Sequence, residues 1–124
     1  MKATNKMMMA AMLLLAACQS KNSQTQDSIP GTYVNAAKGE YAIANDTLII
    51  KQVDGNNYQI IRRTTYQAIR DGKLLPKHSK VENLNAVWES NKQELDELIT
   101  GRVFRFDTDK KLLLIKQATY QKIN

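Results

Sequence analysis

The segment 58–70, YQIIRRTTYQAIR, lies between two Asp-Gly pairs, Asp54 with Gly55 and Asp71 with Gly72. Asp-Gly readily adopts the left-handed backbone that a tight strand reversal needs, so a run bounded by it on both sides reads as a strand between hairpin turns. Ile, Thr and Tyr fill the run, and their branched or aromatic side chains suit a pleated surface better than a helix. The chain around it follows the same pattern. Tyr41 and Ile43 alternate in EYAI, Asn45 and Asp46 mark a turn, and TLIIKQV (47–53) is a compact β-branched strand. In KVENLNAVWE, Leu84, Ala86 and Trp88 share one face, while Pro76 suits a loop or an edge. RVFRFD, LLLIK and ATYQKI are further strands, with Asp107, Thr108, Asp109 and Lys110 turning the chain between the first two.

Residues 90–101, SNKQELDELITG, admit two readings. Ser90 with Gln93 has capping-box spacing, Leu95, Leu98 and Ile99 have helical spacing, and Gly101 could end a helix. The flanking strands and the turn-forming Ser-Asn-Lys and Thr-Gly-Arg favour a short strand instead, with one short helix near 91–100 as the alternative. The chain is therefore expected to be mainly all-β, an antiparallel meander of about eight or nine short strands forming a small barrel or a sandwich.

The N-terminal region has a different character. Lys2 and Lys6 precede an apolar run at 7–17, which is shorter than the roughly 17–25 residues a membrane-spanning helix requires. Leu15, Ala16 and Ala17 then lead into Cys18, the only cysteine, and this LAAC sequence resembles the bacterial lipobox. The resemblance implies a signal peptide at 1–17, cleavage before Cys18, and a thioether from its sulfur to diacylglycerol. Acylation of the new amine (palmitate being typical) would make a stable anchor, since one acyl chain holds only marginally. The polar stretch QSKNSQTQDSIP reads as a flexible tether, giving a tethered region at 18–30 and a single β domain at 31–124. Gln19, where a retention signal would place Asp, points to the outer membrane, and the lack of an acidic run after Cys18 points to its periplasmic face.

Three stretches carry a wider likeness. IPGTYVNAAKGEYAIANDTLIIKQ, YQIIRRTTYQAIRDGKL and VWES with GRVFRFDTDKKLLLIKQATYQKI are similar to small lipoproteins of Bacteroidota, some carried on conjugative transposons. The opening Gly-Thr-Tyr and closing Tyr-Gln-Lys-Ile also resemble lipocalin-like small β domains of that phylum. The resemblance implies a β fold and an envelope location, and brings no active-site residues with it. Asp27-Ser28-Ile29 and Asp46-Thr47-Leu48 resemble the O-glycosylation acceptor of the same phylum, which makes Ser28 and Thr47 candidate modification sites.

Little in the chain suggests catalysis. His78 is the only histidine and Cys18 is assigned to lipid, so no metal site and no cofactor are expected. The carboxylates at Glu94, Asp96 and Glu97 read as a solvated face and those at Asp107 and Asp109 as a turn, so no enzyme is expected. The strongest functional signal is the basic stretch 62–80, where Arg62, Arg63, Arg70, Lys73, Lys77 and Lys80 face only Asp71. If 58–70 and 73–88 form a hairpin, these side chains gather near one end, with Arg62 and Arg63 on opposite faces. Such a patch suits an anionic partner, with plain solubility as the simpler explanation. Aromatic residues make up only 6% of the chain, which argues against a base-stacking surface and hence against nucleic acid. The expected role is a non-enzymatic binding or accessory module for another envelope protein, with a conjugative transfer apparatus as one setting. The alternatives are a lipocalin-like carrier of a small apolar ligand and an inhibitor or exclusion lipoprotein.

Overall fold

A computed structural model of the chain describes residues 25–124. Nine strands follow one another: β1 (Gly31–Lys38), β2 (Ala42–Asp54), β3 (Asn57–Arg70), β4 (Lys73–Leu74), β5 (His78–Glu89), β6 (Glu94–Glu97), β7 (Val103–Asp107), β8 (Leu112–Ile115) and β9 (Ala118–Lys122). Each pairs antiparallel with its neighbour, β3 with β5 across the small β4 flap, and β9 returns to β1. The result is an eight-stranded up-and-down barrel, the closed form of the expected meander. Closure satisfies strand edges that an open sheet would leave unpaired.

Alternation decides which side chains enter the barrel. Leu48 and Ile50 from β2, Tyr58 and Ile60 from β3, and Leu84, Ala86 and Trp88 from β5 point inward and are buried. Leu95, Phe104, Leu113 and Tyr120 complete the ring from the short strands, with Tyr33 from β1. The Tyr33 and Phe106 rings meet edge to face with centroids 5.8 Å apart. The interior is thus filled by the protein's own side chains.

Both Asp-Gly pairs make hairpin turns. Asp71 and Gly72 are left-handed in succession (φ 53° and 75°), the backbone of a two-residue reversal between β3 and β4. At the other turn Gly55 alone is left-handed (φ 48°), and a register shift lies between Gln52 and Asp54. Pro76 falls in the loop between β4 and β5.

The solvated face expected at Glu94, Asp96 and Glu97 is not found, because Glu94 and Glu97 are buried in β6, and three further readings need correction. Asn45 and Asp46 do not turn the chain: they lie inside the continuous strand β2, and the turn comes earlier, at 39–41. Residues 90–101 contain a strand, as favoured, but only Glu94–Glu97 belong to it. Gln93 is left-handed (φ 56°) and breaks any helix there, while its side chain donates to the Ser90 carbonyl at 2.6 Å. Leu95 is buried, whereas Leu98 and Ile99, grouped with it by helical spacing, are 64% and 87% exposed.

The third correction concerns the domain boundary. Residues 25–30 belong to the folded unit and not to a tether. A helical turn at 25–27 leads to Ile29, which is fully buried and packs into the core. Its carbonyl accepts the Tyr33 hydroxyl at 2.7 Å, Lys122 Nζ donates to the Ser28 carbonyl at 2.7 Å, and the Gln26 amide donates to the Gly55 carbonyl at 2.9 Å. This segment seals the end of the barrel that holds the turns at 55–56 and 108–111.

Candidate functional site

The wall of the barrel is uneven. β2, β3 and β5 run for 13, 14 and 12 residues, whereas β6, β7, β8 and β9 have 4 or 5. Away from the sealed end, the long strands therefore rise past the packed interior as a projecting sheet. Leu48, Arg62 and Glu82 lie side by side across β2, β3 and β5, and Asp46, Thr64 and Lys80 form the next row. Tyr66 beside His78 follows. A groove of about 320 Å³ on this face is lined by Arg62, Thr64, Tyr66, His78, Ser79, Lys80 and Glu82.

A polar cluster lies at the foot of the groove. The Asp46 carboxylate accepts Arg62 Nε at 3.0 Å and Nη2 at 2.6 Å on Oδ2, and Thr64 Oγ1 at 3.2 Å on Oδ1. Tyr120, reaching across from β9, donates its hydroxyl to the same carboxylate. Burial alone would raise the Asp46 pKa. The bonds from Arg62, Tyr120 and Thr64 outweigh it and hold the carboxyl below its usual range. Burial, helped by the bond to Asp46, pushes the Tyr120 hydroxyl up to about 12. At neutral pH the carboxylate is charged and the phenol protonated, so the cluster holds charge in place without exchanging a proton. It ties β9 to β2 and β3 across the intervening β1, where the apolar interior gives way to the open end.

The basic residues singled out in the sequence separate into groups. Arg62 faces inward and is occupied by Asp46; Arg63 faces outward beside Val81, so the two do lie on opposite faces. Arg70 pairs with Lys73 at the flap, and Lys77 lies exposed in the loop that follows. Lys80 is on the groove face, 3.7 Å from Glu82. Arg63, Arg70, Lys73, Lys77 and Lys80 thus occupy the projecting end, and Arg62 anchors its base.

The remaining candidates fall elsewhere. Cys18 lies outside the described residues. The Ser28 hydroxyl donates to the Thr25 carbonyl at 2.7 Å, and Thr47 points outward from the middle of β2. In both glycosylation-like motifs the apolar residue, Ile29 or Leu48, is in the core, and Asp46 is buried too. Only an unfolded chain offers either motif in full. His78 is exposed, and no group of three or more potential metal ligands exists among the described residues.

Sequence reasoning missed Asp46 and Tyr120. The residue pair Asn45-Asp46 looks like a turn by composition, and nothing local links it to a tyrosine 74 residues away. Only closure of the barrel brings the two together.

Comparison with protein-family models, curated proteins and solved structures found no match to this chain.

Proposed function

We propose that this chain is a lipid-anchored, non-enzymatic binding module of a bacterial cell envelope that holds an acidic surface of another envelope protein at the open end of its barrel. The observation that carries this reading is the uneven wall: the long strands lift Arg63, Arg70, Lys73, Lys77 and Lys80 beyond the packed interior. The N-terminal Cys18 motif supplies the anchor, and the described chain enters the barrel at its opposite, sealed end. A domain so tethered presents its basic end away from its own membrane, toward a protein. The interior is filled by Tyr33, Trp88, Phe104 and their neighbours, which favours recognition at the rim over storage of an apolar ligand inside. The sequence resemblance makes a conjugative transfer apparatus a natural setting for the partner.

The test is crosslinking in cells with a photoreactive residue at Lys77 in the open-end loop or at Thr108 in a turn of the sealed end. A discrete adduct from position 77 is expected, absent from position 108 and reduced when Lys73, Lys80 and Arg70 are replaced by Ser. Cys18→Ala should abolish it by releasing the domain from the membrane. Adducts of equal yield from both ends, or none from position 77, would refute the reading.

A further inference from the structure

We propose that the upper half of β5 is a docking edge to which the partner adds an acidic, extended segment as a further strand. The inference rests on the open end being a protein-binding surface and specifies how that surface is used.

β3 covers one side of β5 along 78–87, but β6 covers the other side only along 86–89. The main-chain directions follow from two bonds. Asn85 accepts the Leu98 N–H on the β6 side at 3.0 Å, whereas the Trp88 N–H donates to Asn56 on the β3 side at 2.7 Å. Alternation along the strand therefore turns the N–H and C=O groups of Ser79, Val81 and Asn83 toward the uncovered side, and those of Lys80 and Glu82 toward β3. Nothing among the described residues bonds the groups on the uncovered side. The opposite margin of the projecting sheet is shorter. β9 reaches β1 at Tyr33 and Val34, and the Asn35 side chain bonds Thr119, leaving only Ala36, Ala37 and Lys38 beyond.

Charge selects the occupant. His78, Lys80 and Glu82 lie on the groove face of β5, and Glu82 is already shared between Lys80 at 3.7 Å and Arg102 at 3.8 Å. Arg63 stands beside Val81 on the other face. Cations are in surplus, so an uncharged or basic strand would cover Lys80 without a counter-charge, and an acidic one supplies it. Val81 (60% exposed), with Leu98 and Ile99 at the foot of the gap, offers apolar contact to aliphatic side chains of the same segment. Strand addition then provides main-chain bonds for affinity and alternating side chains for specificity.

The test uses the nitrogen-labelled full chain carrying Cys18→Ala, titrated with the capped peptide Thr-Thr-Val-Glu-Thr-Glu to millimolar concentration. In antiparallel register this peptide sets Glu opposite Lys80 and His78, and Val opposite Val81. The amide resonances of Ser79, Val81 and Asn83 should shift, and the control peptide Thr-Thr-Val-Lys-Thr-Lys should leave them in place. Val81→Pro removes an edge N–H without touching a bond to β3 and should weaken binding about tenfold. Lys80→Glu should reverse the preference, so that the lysine peptide now shifts the same amides. No shift with the glutamate peptide, or equal shifts with both peptides in the unmutated edge, would overturn the proposal. The two readings fail separately. Crosslinks from position 77 whose yield Val81→Pro leaves undiminished uphold the open-end surface and reject strand addition, whereas no crosslink from position 77 rejects the open-end reading itself.

Discussion

At the scale of single residues, the fold depends on a few groups with no substitute. Asp46 is the clearest case, because Arg62, Thr64 and Tyr120 all direct donors at it. Removing the carboxylate leaves a partly buried guanidinium without its counter-charge, so Asp46→Ala should cost about 2–4 kcal/mol in denaturant unfolding at neutral pH. Asp46→Asn keeps the shape and should cost less. The pH dependence has a definite sign. The folded-state pKa of Asp46 is lowered, so its stabilisation is complete above the unfolded value of about 3.9 and is lost as pH falls through the folded value. The stability gap between wild type and Asp46→Asn should therefore narrow between pH 5 and pH 2, and a constant gap across that range would contradict the role given to the charge. Tyr33 and Tyr120 show the opposite sign. Burial pushes both up to about 12, so their contribution is complete below 10 and is lost as pH rises through 12. Burial raises the Tyr58 hydroxyl as well, so ultraviolet titration should show three late-ionising phenols in the folded chain, and Tyr120→Phe should remove one of them. Gly31 is irreplaceable for another reason. Its φ is 152°, and a Cβ there would lie 2.3 Å from the Asn124 carbonyl oxygen, so Gly31→Ala must force β1 and the C-terminal residues apart. Thermal denaturation should reveal a loss of about 2–3 kcal/mol.

At the scale of elements, the sequence was most legible where local chemistry and tertiary structure agree. The two Asp-Gly turns and the β3 strand between them follow from backbone preference, and the barrel uses them as they stand. Asp46 was misread because a turn-forming composition was overruled by pairing on both sides of β2. The 90–101 segment was ambiguous because helix and strand place Leu95 inward equally well, and only exposure of Leu98 and Ile99 separates them. The tether boundary failed for a similar reason: Ile29 is one apolar residue in a polar run, and its burial depends on a cavity built by residues far along the chain. Hairpin chemistry also predicts how the β3–β4 flap behaves. A Cβ at Gly72 would meet no atom within 4 Å, so Gly72→Ala bears only the cost of a left-handed backbone, about 1 kcal/mol. Because β4 pairs through only two residues, that cost should stay local. Hydrogen exchange at the Leu75 amide, bonded to the Ala68 carbonyl, should accelerate roughly fivefold while the melting temperature hardly moves. A large drop in melting temperature would mean the flap is coupled to the core.

At the scale of the whole molecule, the barrel has one sealed end and one projecting end, and the chain enters at the sealed one. The segment 19–24 between Cys18 and the first described turn can span at most about 25 Å, because an extended residue covers no more than 3.3–3.6 Å. An anchored domain is therefore held with the turns at 55–56 and 108–111 close to the lipid. β3 runs from that end to the flap, and its 14 residues at strand rise and barrel tilt lift Arg70 by about 30 Å. In the proposed anchored state the basic end would stand beyond a Debye length, about 8 Å at physiological salt, from the headgroups, where lipid phosphates would not compete for it. In a chain whose single native thiol, Cys18, is taken up by lipid, one introduced cysteine gives a unique reporter position. A fluorophore at Thr108→Cys should be quenched by headgroup-labelled lipid in vesicles carrying the acylated chain, and one at Lys77→Cys should not. Equal quenching at both positions would mean that the barrel lies flat on the bilayer, and the open end would then face lipid and not a protein.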